Sequence, residues 1–303
     1  MTAITPTWFI TGASSGFGMA FAHYALDRGY NVVATARSVR KLDALAAQAP
    51  DRILVHKLDV TIPGDAEQAV TAAVRRFGRI DVVINNAGYG IIGAVEETPD
   101  AEFRAQMETN FFGALAVIRA ALPQLRRQGS GAIVNISSLG GQLSFGGFGA
   151  YSASKFALEG MSESLALEVA PFGIKVLIVE PGAFRTSFAA DALKHMPVME
   201  AYQTIIGGMR DFAHGMDGTQ DGDPYKAARA IELALAAETT PLRLQLGADA
   251  VNSVRAHAEQ LLKDLAAWEK VGLDTQVETR AGGALMPAEL PGSAAARMPV
   301  PAQ

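Results

Sequence analysis

A glycine-rich loop between a short apolar strand and an amphipathic helix constrains this chain most. Thr7–Ile10 is a run of strand-forming residues, residues 11–18 read T-G-A-S-S-G-F-G, and the amphipathic residues 19–28 stop at Gly29. A helix that begins directly after such a loop presents free N–H groups and its positive dipole end, which suits the pyrophosphate of a dinucleotide. The glycine spacing is Gly-x-x-x-Gly-x-Gly rather than the more common Gly-x-Gly-x-x-Gly. The order of strand, loop and helix therefore predicts a dinucleotide-binding unit.

Each glycine of this loop has a separate predicted purpose. Gly12 permits the tight turn, Gly16 lets the backbone approach a ligand closely, and Gly18 lets the helix pack against the strand.

The end of the second predicted strand, residues 31–36, indicates which cofactor the loop would hold. NAD sites usually carry an acidic residue here, but the strand ends in Ala36 and Arg37, followed by Arg40 and Lys41. A guanidinium suits the 2′-phosphate of NADP. The alternative is that Arg37 is a solvent-facing residue at a helix start. The sequence favours NADP(H) over NAD(H).

Strands and helices continue to alternate along the chain. Predicted strands cover residues 52–58, 81–84, 132–136, 174–179 and 242–246, and predicted helices cover residues 63–77, 101–127, 151–170, 224–237 and a last segment to about residue 270. This alternation predicts an α/β fold: a Rossmann-type, doubly wound parallel sheet of about seven strands with helices on both faces, a three-layer αβα sandwich.

Polar residues at strand ends and inside one helix have two interpretations each. Asp59 either binds an adenine amino group or forms a turn. Residues 85–88, N-N-A-G, suit a turn against a ligand or a tight turn closed by Asn side chains. Asn110, in the middle of a predicted helix, is either a solvated residue or a polar anchor at a bend.

Tyr151 and Lys155 begin the helix that follows a second glycine-rich turn. They lie four residues apart, so they project from one helix face. An ammonium near a phenol favours the phenolate and would lower the tyrosine pKa from its reference of about 10. Taken alone, the pair is more typical of ordinary helix surface.

Composition excludes several classes of protein. The 303 residues are 49% hydrophobic and 19% charged with a net charge of −5, and no basic block indicates nucleic-acid binding. The absence of cysteine excludes disulfides and thiolate metal sites and fits the cytoplasm. No apolar run is long enough to span a membrane, and residues 1–10 lack the features of an export signal.

Together these motifs resemble the short-chain dehydrogenase/reductase family of the one-domain type, over about residues 5–270. The matching positions are Thr11-Gly12-x-x-x-Gly16-x-Gly18, Asp59-Val60, Asn85-Asn86-Ala87-Gly88, Asn110, Ser138, Tyr151-x-x-x-Lys155 and Pro181-Gly182. Their order and spacing match as well, and Ser138 rather than its neighbour Ser137 keeps the family distance to Tyr151. The C-terminal part resembles the 17β-hydroxysteroid-dehydrogenase-like branch, which does not imply a steroid substrate.

The resemblance implies a catalytic tetrad. Tyr151 would be the general acid in carbonyl reduction and the base in alcohol oxidation. Lys155 would bind the nicotinamide ribose and lower the tyrosine pKa, Ser138 would hold the substrate oxygen, and Asn110 would support a water path. The implied cofactor contacts are Gly12, Ser14, Ser15, Gly16, Phe17, Gly18, Arg37, Asp59, Val60, Asn86, Ala87, Gly88, Tyr151, Lys155, Pro181, Gly182, Phe184 and Thr186. No metal is implied.

Residues 187–217 correspond to the variable substrate lid of the family. Their apolar character favours a hydrophobic carbonyl or alcohol, with Ser138, Phe145, Phe148, Tyr151 and Phe188 as predicted substrate contacts. The alternative is that these apolar residues only pack the lid on the body. His195 and His214 are interpreted as lid surface.

The sequence thus predicts one catalytic domain over residues 1–272 and a tail over residues 273–303, mobile or partner-binding. The predicted function is NADP(H)-dependent carbonyl reduction or alcohol oxidation on a small molecule, in a homodimer or homotetramer. The alternatives are an inactive cofactor-binding sensor or scaffold, and another reaction such as dehydration or epimerisation on the same fold.

Overall fold

The computed structural model describes residues 5–275, and the chain divides into one compact unit that ends at Val254 and a second that begins at Arg255. The strands of this range are β1 (Thr7–Ile10), β2 (Asn31–Ala36), β3 (Ile53–Lys57), β4 (Val82–Asn85), β5 (Gly90–Ile92), β6 (Gly131–Ile136), β7 (Ile174–Pro181), β8 (Leu193–His195) and β9 (Arg243–Leu246). Its α-helices are α1 (Gly16–Asp27), α2 (Asp43–Gln48), α3 (Asp65–Phe77), α4 (Asp100–Met107), α5 (Gly113–Gln128), α6 (Gly149–Val169), α7 (Phe188–Asp191), α8 (Glu200–Gly215), α9 (Pro224–Ala236) and α10 (Ala248–Leu273).

Seven parallel strands form the main sheet in the order β3-β2-β1-β4-β6-β7-β9. The chain first builds outward from β1 through β2 and β3, and then returns to build the other half from β4. Such a reversal leaves a crevice at the carboxyl ends of β1 and β4, where ligands bind in open α/β sheets. The glycine loop and the N-N-A-G turn follow these two strands.

The protein has two large hydrophobic cores, one on each face of the main sheet, and side chains of β1 contribute alternately to the two. Trp8 and Ile10 belong to the cluster that also contains residues of α1 and α9. Phe9 belongs to the cluster that contains residues of α3, α5 and α6. Because successive strand residues point to opposite faces, one strand anchors helix layers on both sides. The predicted three-layer αβα sandwich with a seven-stranded parallel sheet is therefore confirmed.

The predicted helix over residues 101–127 is interrupted, which corrects the sequence interpretation. A single π-helical turn, Glu108–Phe112, separates α4 from α5. This turn contains Asn110, which is 2% exposed and hydrogen-bonded to the backbone of Tyr89. Asn110 is thus the polar anchor at a bend, and the solvated alternative is wrong.

Two smaller features have no counterpart in the sequence prediction. β5 and β8 pair as a separate two-stranded parallel sheet, which ties residues 193–195 of the predicted lid to the segment after the N-N-A-G turn. The short helix α2 lies after β2.

Among residues 5–275, no helix is long and apolar enough to cross a membrane. Residues 276–303 of the predicted tail lie outside the described residues, and the predicted domain boundary at residue 272 stays a prediction.

Candidate active site

Three positions of the glycine loop favour glycine, two because of their backbone conformation and one because of close packing. Gly12 and Gly16 have φ angles of +64° and +51°, in the left-handed region that favours glycine. A Cβ on Gly18 would lie 2.3 Å from the carbonyl oxygen of Gly12 and 2.7 Å from Nδ2 of Asn86. The loop, the first turn of α1 and the turn after β4 therefore lie against one another.

The N-terminus of α1 is open to an anion. Ser15 is its N-cap residue, yet its side chain makes no capping hydrogen bond, and the first turn contains no acidic residue. The first backbone N–H groups of a helix have no partner within the helix, and they favour negative charge. Ser14 and the exposed Ser15 lie in the loop directly before this turn. These features fit the phosphates of a dinucleotide.

The segment after β7 closes over the same loop. The Phe184 ring lies 5.0 Å from the ring of Phe17, centroid to centroid. A Cβ on Gly16 would lie 3.4 Å from Cβ of Thr186. In the sequence, Phe17 is about 170 residues from Phe184 and Thr186. The structure brings these three side chains to one side of the predicted cofactor cleft.

Pro181 and Gly182 shape this segment through a residue that the sequence analysis missed. Pro181 ends β7, and Oδ2 of Asp249 accepts a hydrogen bond of 2.6 Å from the Ala183 N–H. A Cβ on Gly182 would lie 2.1 Å from the Asp249 carboxylate, so only glycine fits there. Asp249 follows β9, and no local motif in the sequence marks it.

Thr11 and Asn86 brace the loop from within. The N–H groups of Asn86 and Ala87 donate to Oγ1 of Thr11 at 2.9 and 3.0 Å. The Asn86 side-chain amide donates to the carbonyl oxygens of Thr11 and Gly12. The turn therefore holds the glycine loop in place, and a direct contact from Asn86 to a cofactor stays a prediction. Thr11 belongs to the motif, but the motif does not indicate this bracing role.

Asp59 and Arg37 lie at the other end of the predicted cleft. Oδ1 of Asp59 accepts hydrogen bonds from N–H and Oγ1–H of Thr61 at 3.0 and 2.8 Å, so Asp59 does form a turn. A Cβ on Gly113 would lie only 2.5 Å from Cγ2 of Val60, so Val60 packs closely against this glycine. Arg37 is exposed directly after β2 and makes no hydrogen bond or ion pair within residues 5–275. The predicted adenine contact of Asp59 stays a prediction.

Tyr151 and Ser138 meet beside the second glycine-rich turn. A Cβ on Gly140 would lie 3.4 Å from Oγ of Ser138 and 3.4 Å from Cε1 of Tyr151. Ser138 follows β6, and its Oγ accepts a hydrogen bond of 3.0 Å from the Gly140 N–H. Tyr151 lies in the first turn of α6. The strand end and the helix start thus converge on one small space.

Lys155 lies below Tyr151 on the same helix face and is 6% exposed. Its Nζ donates to the carbonyl oxygen of Ile136 at 2.8 Å and lies 5.7 Å from the centroid of the Tyr151 ring. A Cβ on Gly88 would lie 3.8 Å from this Nζ and 3.0 Å from Oδ1 of Asn110. All four predicted tetrad residues therefore lie near one another and near the turn that braces the glycine loop.

Ser154, one residue before Lys155, was not predicted as part of this arrangement. Nδ2 of Asn110 donates to its Oγ at 3.0 Å, and that Oγ donates to the carbonyl oxygen of Tyr151 at 2.7 Å. The π-helical turn is thereby tied to the helix that carries Tyr151.

Burial dominates the ionisation of the tyrosine–lysine pair. Desolvation raises the pKa of Tyr151 above its ordinary value, and the neighbouring Ser138 hydroxyl opposes this increase. Desolvation also lowers the pKa of Lys155 to about 8, and the Glu159 carboxylate opposes that decrease. The expected net lowering of the tyrosine pKa is therefore not found. Nζ of Lys155 bonds to a backbone carbonyl rather than to the phenol.

Aromatic side chains surround the phenol. The rings of Phe148 and Phe188 lie 6.2 and 6.0 Å from the Tyr151 ring, centroid to centroid. Both also pack against the cluster of Ile92, Leu193 and Ala213, so apolar residues of the predicted lid do pack on the body. Phe145 is 41% exposed on the glycine-rich turn. His195 and His214 stack with their ring centroids 4.1 Å apart, away from any tetrad contact.

Comparison with known proteins agrees with this geometry. Residues 6–197 match the family model of the short chain dehydrogenases. An oxidoreductase of Botryotinia fuckeliana (strain B05.10) is 41% identical over 271 residues, which cover 89% of this chain and 99% of that protein. A crystal structure of a short-chain dehydrogenase from Streptomyces avermitilis is 49% identical, with a TM-score of 0.86 over 91% of this chain and 100% of that one. The chain belongs to the short-chain dehydrogenase/reductase family.

One structural neighbour contains a cofactor analogue. The alcohol dehydrogenase from the archaeon Thermococcus sibiricus, complexed with 5-hydroxy-NADP, is 26% identical, with a TM-score of 0.66 over 80% of this chain and 96% of that one. The protein is thus an oxidoreductase that acts on CH–OH groups with a nicotinamide dinucleotide. The predicted 17β-hydroxysteroid-dehydrogenase-like branch stays a prediction.

Proposed function

We propose that this enzyme interconverts a hydrophobic ketone or aldehyde and its alcohol with NADP(H), and that Tyr151 transfers the proton. The observation that carries the proposal is the convergence of Tyr151, Ser138 and Lys155 beside the braced glycine loop. When bound, the nicotinamide supplies or accepts the hydride. The chain itself positions the carbonyl and supplies the proton.

Each tetrad residue has a role in the reduction. Tyr151 donates its phenolic proton to the carbonyl oxygen, and burial favours the protonated phenol that this step requires. Ser138 holds the same oxygen through its hydroxyl. Lys155 provides a nearby positive charge that stabilises the phenolate left behind. Asn110 fixes the backbone around Tyr89 and, through Ser154, the start of α6.

The substrate is proposed to be apolar near the reacting carbon. Phe148 and Phe188 flank the phenol, and both pack against the apolar side chains of Ile92, Leu193 and Ala213. A bulky apolar ketone would bury surface against these rings, whereas a charged acid would lose its hydration without a partner. A panel of hydrophobic and charged ketones tests this, and equal turnover of both classes would contradict it.

The preference for NADP(H) is proposed to depend on Arg37. The Arg37→Asp variant should lose about 10- to 100-fold in kcat/KM with NADPH, because a charge-assisted contact to the 2′-phosphate is lost, and should improve with NADH. Arg75→Asp on α3 is the matched control, since Arg75 is also exposed and lies on another element. An unchanged ratio of the two cofactors in Arg37→Asp would remove Arg37 from the proposal.

The rate of reduction should depend on the charge of Lys155. Because burial lowers the pKa of Lys155 to about 8, the ammonium is lost as the pH rises through that value, and kcat for reduction should fall there. The Lys155→Arg variant should be slower but should not show this decrease, because a guanidinium stays charged. The test is a pH–rate profile of both proteins; the same decrease in both would contradict the assignment.

A further inference from the structure

A buried cluster of charges lies directly behind the tetrad, outside the proton-transfer steps described above. Glu159 is 2% exposed and Glu180 is fully buried. Nη1 of Arg243 pairs with both carboxylates, and its Nη2 pairs with Glu163 at the edge of the cluster. Burying carboxylates costs several kcal/mol each unless they are paired and hydrogen-bonded. A core of apolar residues would avoid that cost, so stability alone does not explain why these charges are buried here.

The Glu159 carboxylate joins the two segments that carry the catalytic hydroxyls. Oε1 of Glu159 accepts a hydrogen bond from the hydroxyl of Ser137, the residue before Ser138, and Oε2 accepts from the Gln142 side chain. A Cβ on Gly141 would lie 2.0 Å from Oε1, so the backbone of the turn packs directly on the carboxylate. The position of Ser138 is thereby coupled to that of α6.

The same carboxylate faces Lys155. Tyr151, Lys155 and Glu159 are spaced four residues apart on α6 and therefore share one helix face. The groups that face Lys155 are the Tyr151 ring, the carbonyl of Ile136 and the Glu159 charge. Glu159 opposes the desolvation that lowers the pKa of Lys155.

We propose that Glu159 is a positioning residue for the proposed proton transfer: through Ser137 it fixes Ser138 against Tyr151, and through its charge it keeps Lys155 an ammonium. Arg243 completes the arrangement. Burial, the largest cause, and the neighbouring Glu180 raise the pKa of the Glu159 carboxyl above its ordinary value, and Ser137, Arg243 and Gln142 oppose this increase. The guanidinium thus opposes protonation of the carboxylate that the lysine requires.

The test measures the ionisation of Lys155 without substrate or cofactor. Protein labelled with 13Cε-lysine is titrated by NMR, and the Lys155 signal is assigned from its loss in the Lys155→Arg variant. In the Glu159→Gln variant the midpoint should shift downward from about 8, because the opposing charge is removed. Glu163→Gln is the matched control: it removes an equal charge from the same helix and from the same arginine, but Glu163 is 54% exposed, so the midpoint should stay in place.

Turnover provides the second measurement and rests on the proposed function. In Glu159→Gln, kcat should fall about 10- to 100-fold with little change in KM, since the charge that keeps Lys155 an ammonium is lost and the amide nitrogen cannot accept the bonds from Gln142 and Arg243. An unchanged Lys155 midpoint together with an unchanged kcat in the folded variant would overturn the inference. A shifted midpoint in a protein that reduces no carbonyl would instead refute the proposed function and leave the coupling of Glu159 to Lys155 established.

The Ser137→Ala variant tests the proposed role of Glu159 if Glu159→Gln does not fold. This substitution removes one hydroxyl and one donor to Glu159, so the carboxyl takes up a proton more readily. The Lys155 midpoint should then move in the same direction by a smaller amount, and kcat should fall. A Ser137→Ala protein with the wild-type midpoint and the wild-type kcat would overturn the inference.

Discussion

Replacing Tyr151 with phenylalanine is expected to lower kcat for ketone reduction by about 100- to 10,000-fold, the usual range for the loss of a general acid. The substitution removes only the hydroxyl, so the ring contacts with Phe148 and Phe188 remain. Dissociation of NADPH, measured by its fluorescence, should change little, since the glycine loop and its braces are untouched. Stopped-flow and steady-state assays of NADPH oxidation measure the rate.

A second tyrosine provides the control. Tyr225 lies on α9, and its hydroxyl donates to Asp27 at 2.9 Å on the surface. Tyr225→Phe removes an identical hydroxyl far from Ser138 and should leave kcat unchanged. Full turnover in Tyr151→Phe would show that another group supplies the proton.

The Gly18→Ala substitution is expected to weaken NADPH binding. The new Cβ would lie 2.3 Å from the Gly12 carbonyl oxygen, so the loop or the helix must shift away. Forcing one extra carbon into a packed site costs about 1–3 kcal/mol, which corresponds to about 5- to 150-fold weaker NADPH binding if the loop takes the strain. Titration of NADPH by fluorescence, together with thermal unfolding, measures both effects.

Gly160→Ala is the matched control for this substitution. Gly160 lies exposed in α6, with no heavy atom within 4 Å of its potential Cβ. Alanine there should stabilise the fold by about 0.5–1 kcal/mol, because glycine is a poor helix former. Wild-type NADPH affinity in Gly18→Ala would show that the loop does not contact the cofactor closely.

Local sequence patterns predicted the central elements well. The bounds of β1 and β2 agree with the prediction residue for residue, since apolar runs flanked by glycine or charge define them. The position of the glycine loop was also predictable, and helical spacing places Tyr151 and Lys155 on one helix face, whereas Ser138 and Asn110 were selected through the resemblance to the family. Their convergence follows from the parallel sheet, whose carboxyl ends meet at one edge.

Other features depend on contacts that the sequence does not display. The apolar periodicity of residues 101–127 continues through Asn110, so a continuous helix was predicted, and only the bonds to Tyr89 and Ser154 reveal the π-helical turn. Glu159 has the appearance of an ordinary helix-surface residue. In the folded chain Glu159 is buried, where it bonds to Ser137 after the end of β6 and to Arg243, which lies 84 residues further along the chain.

The pKa of Tyr151 was predicted with the wrong sign for a related reason. Helical spacing places an ammonium near the phenol, but the spacing does not indicate how deeply either group is buried. Desolvation is the largest cause of the raised pKa of Tyr151 in the folded chain.

The most direct test of the central claim is an assay of NADPH and NADH oxidation with a panel of hydrophobic ketones and aldehydes, for the wild type and for Tyr151→Phe in parallel. We expect carbonyl-dependent oxidation that is faster with NADPH in the wild type, and binding of NADPH without turnover in the variant. Oxidation of neither cofactor with any carbonyl, or equal rates in both proteins, would contradict the proposed function.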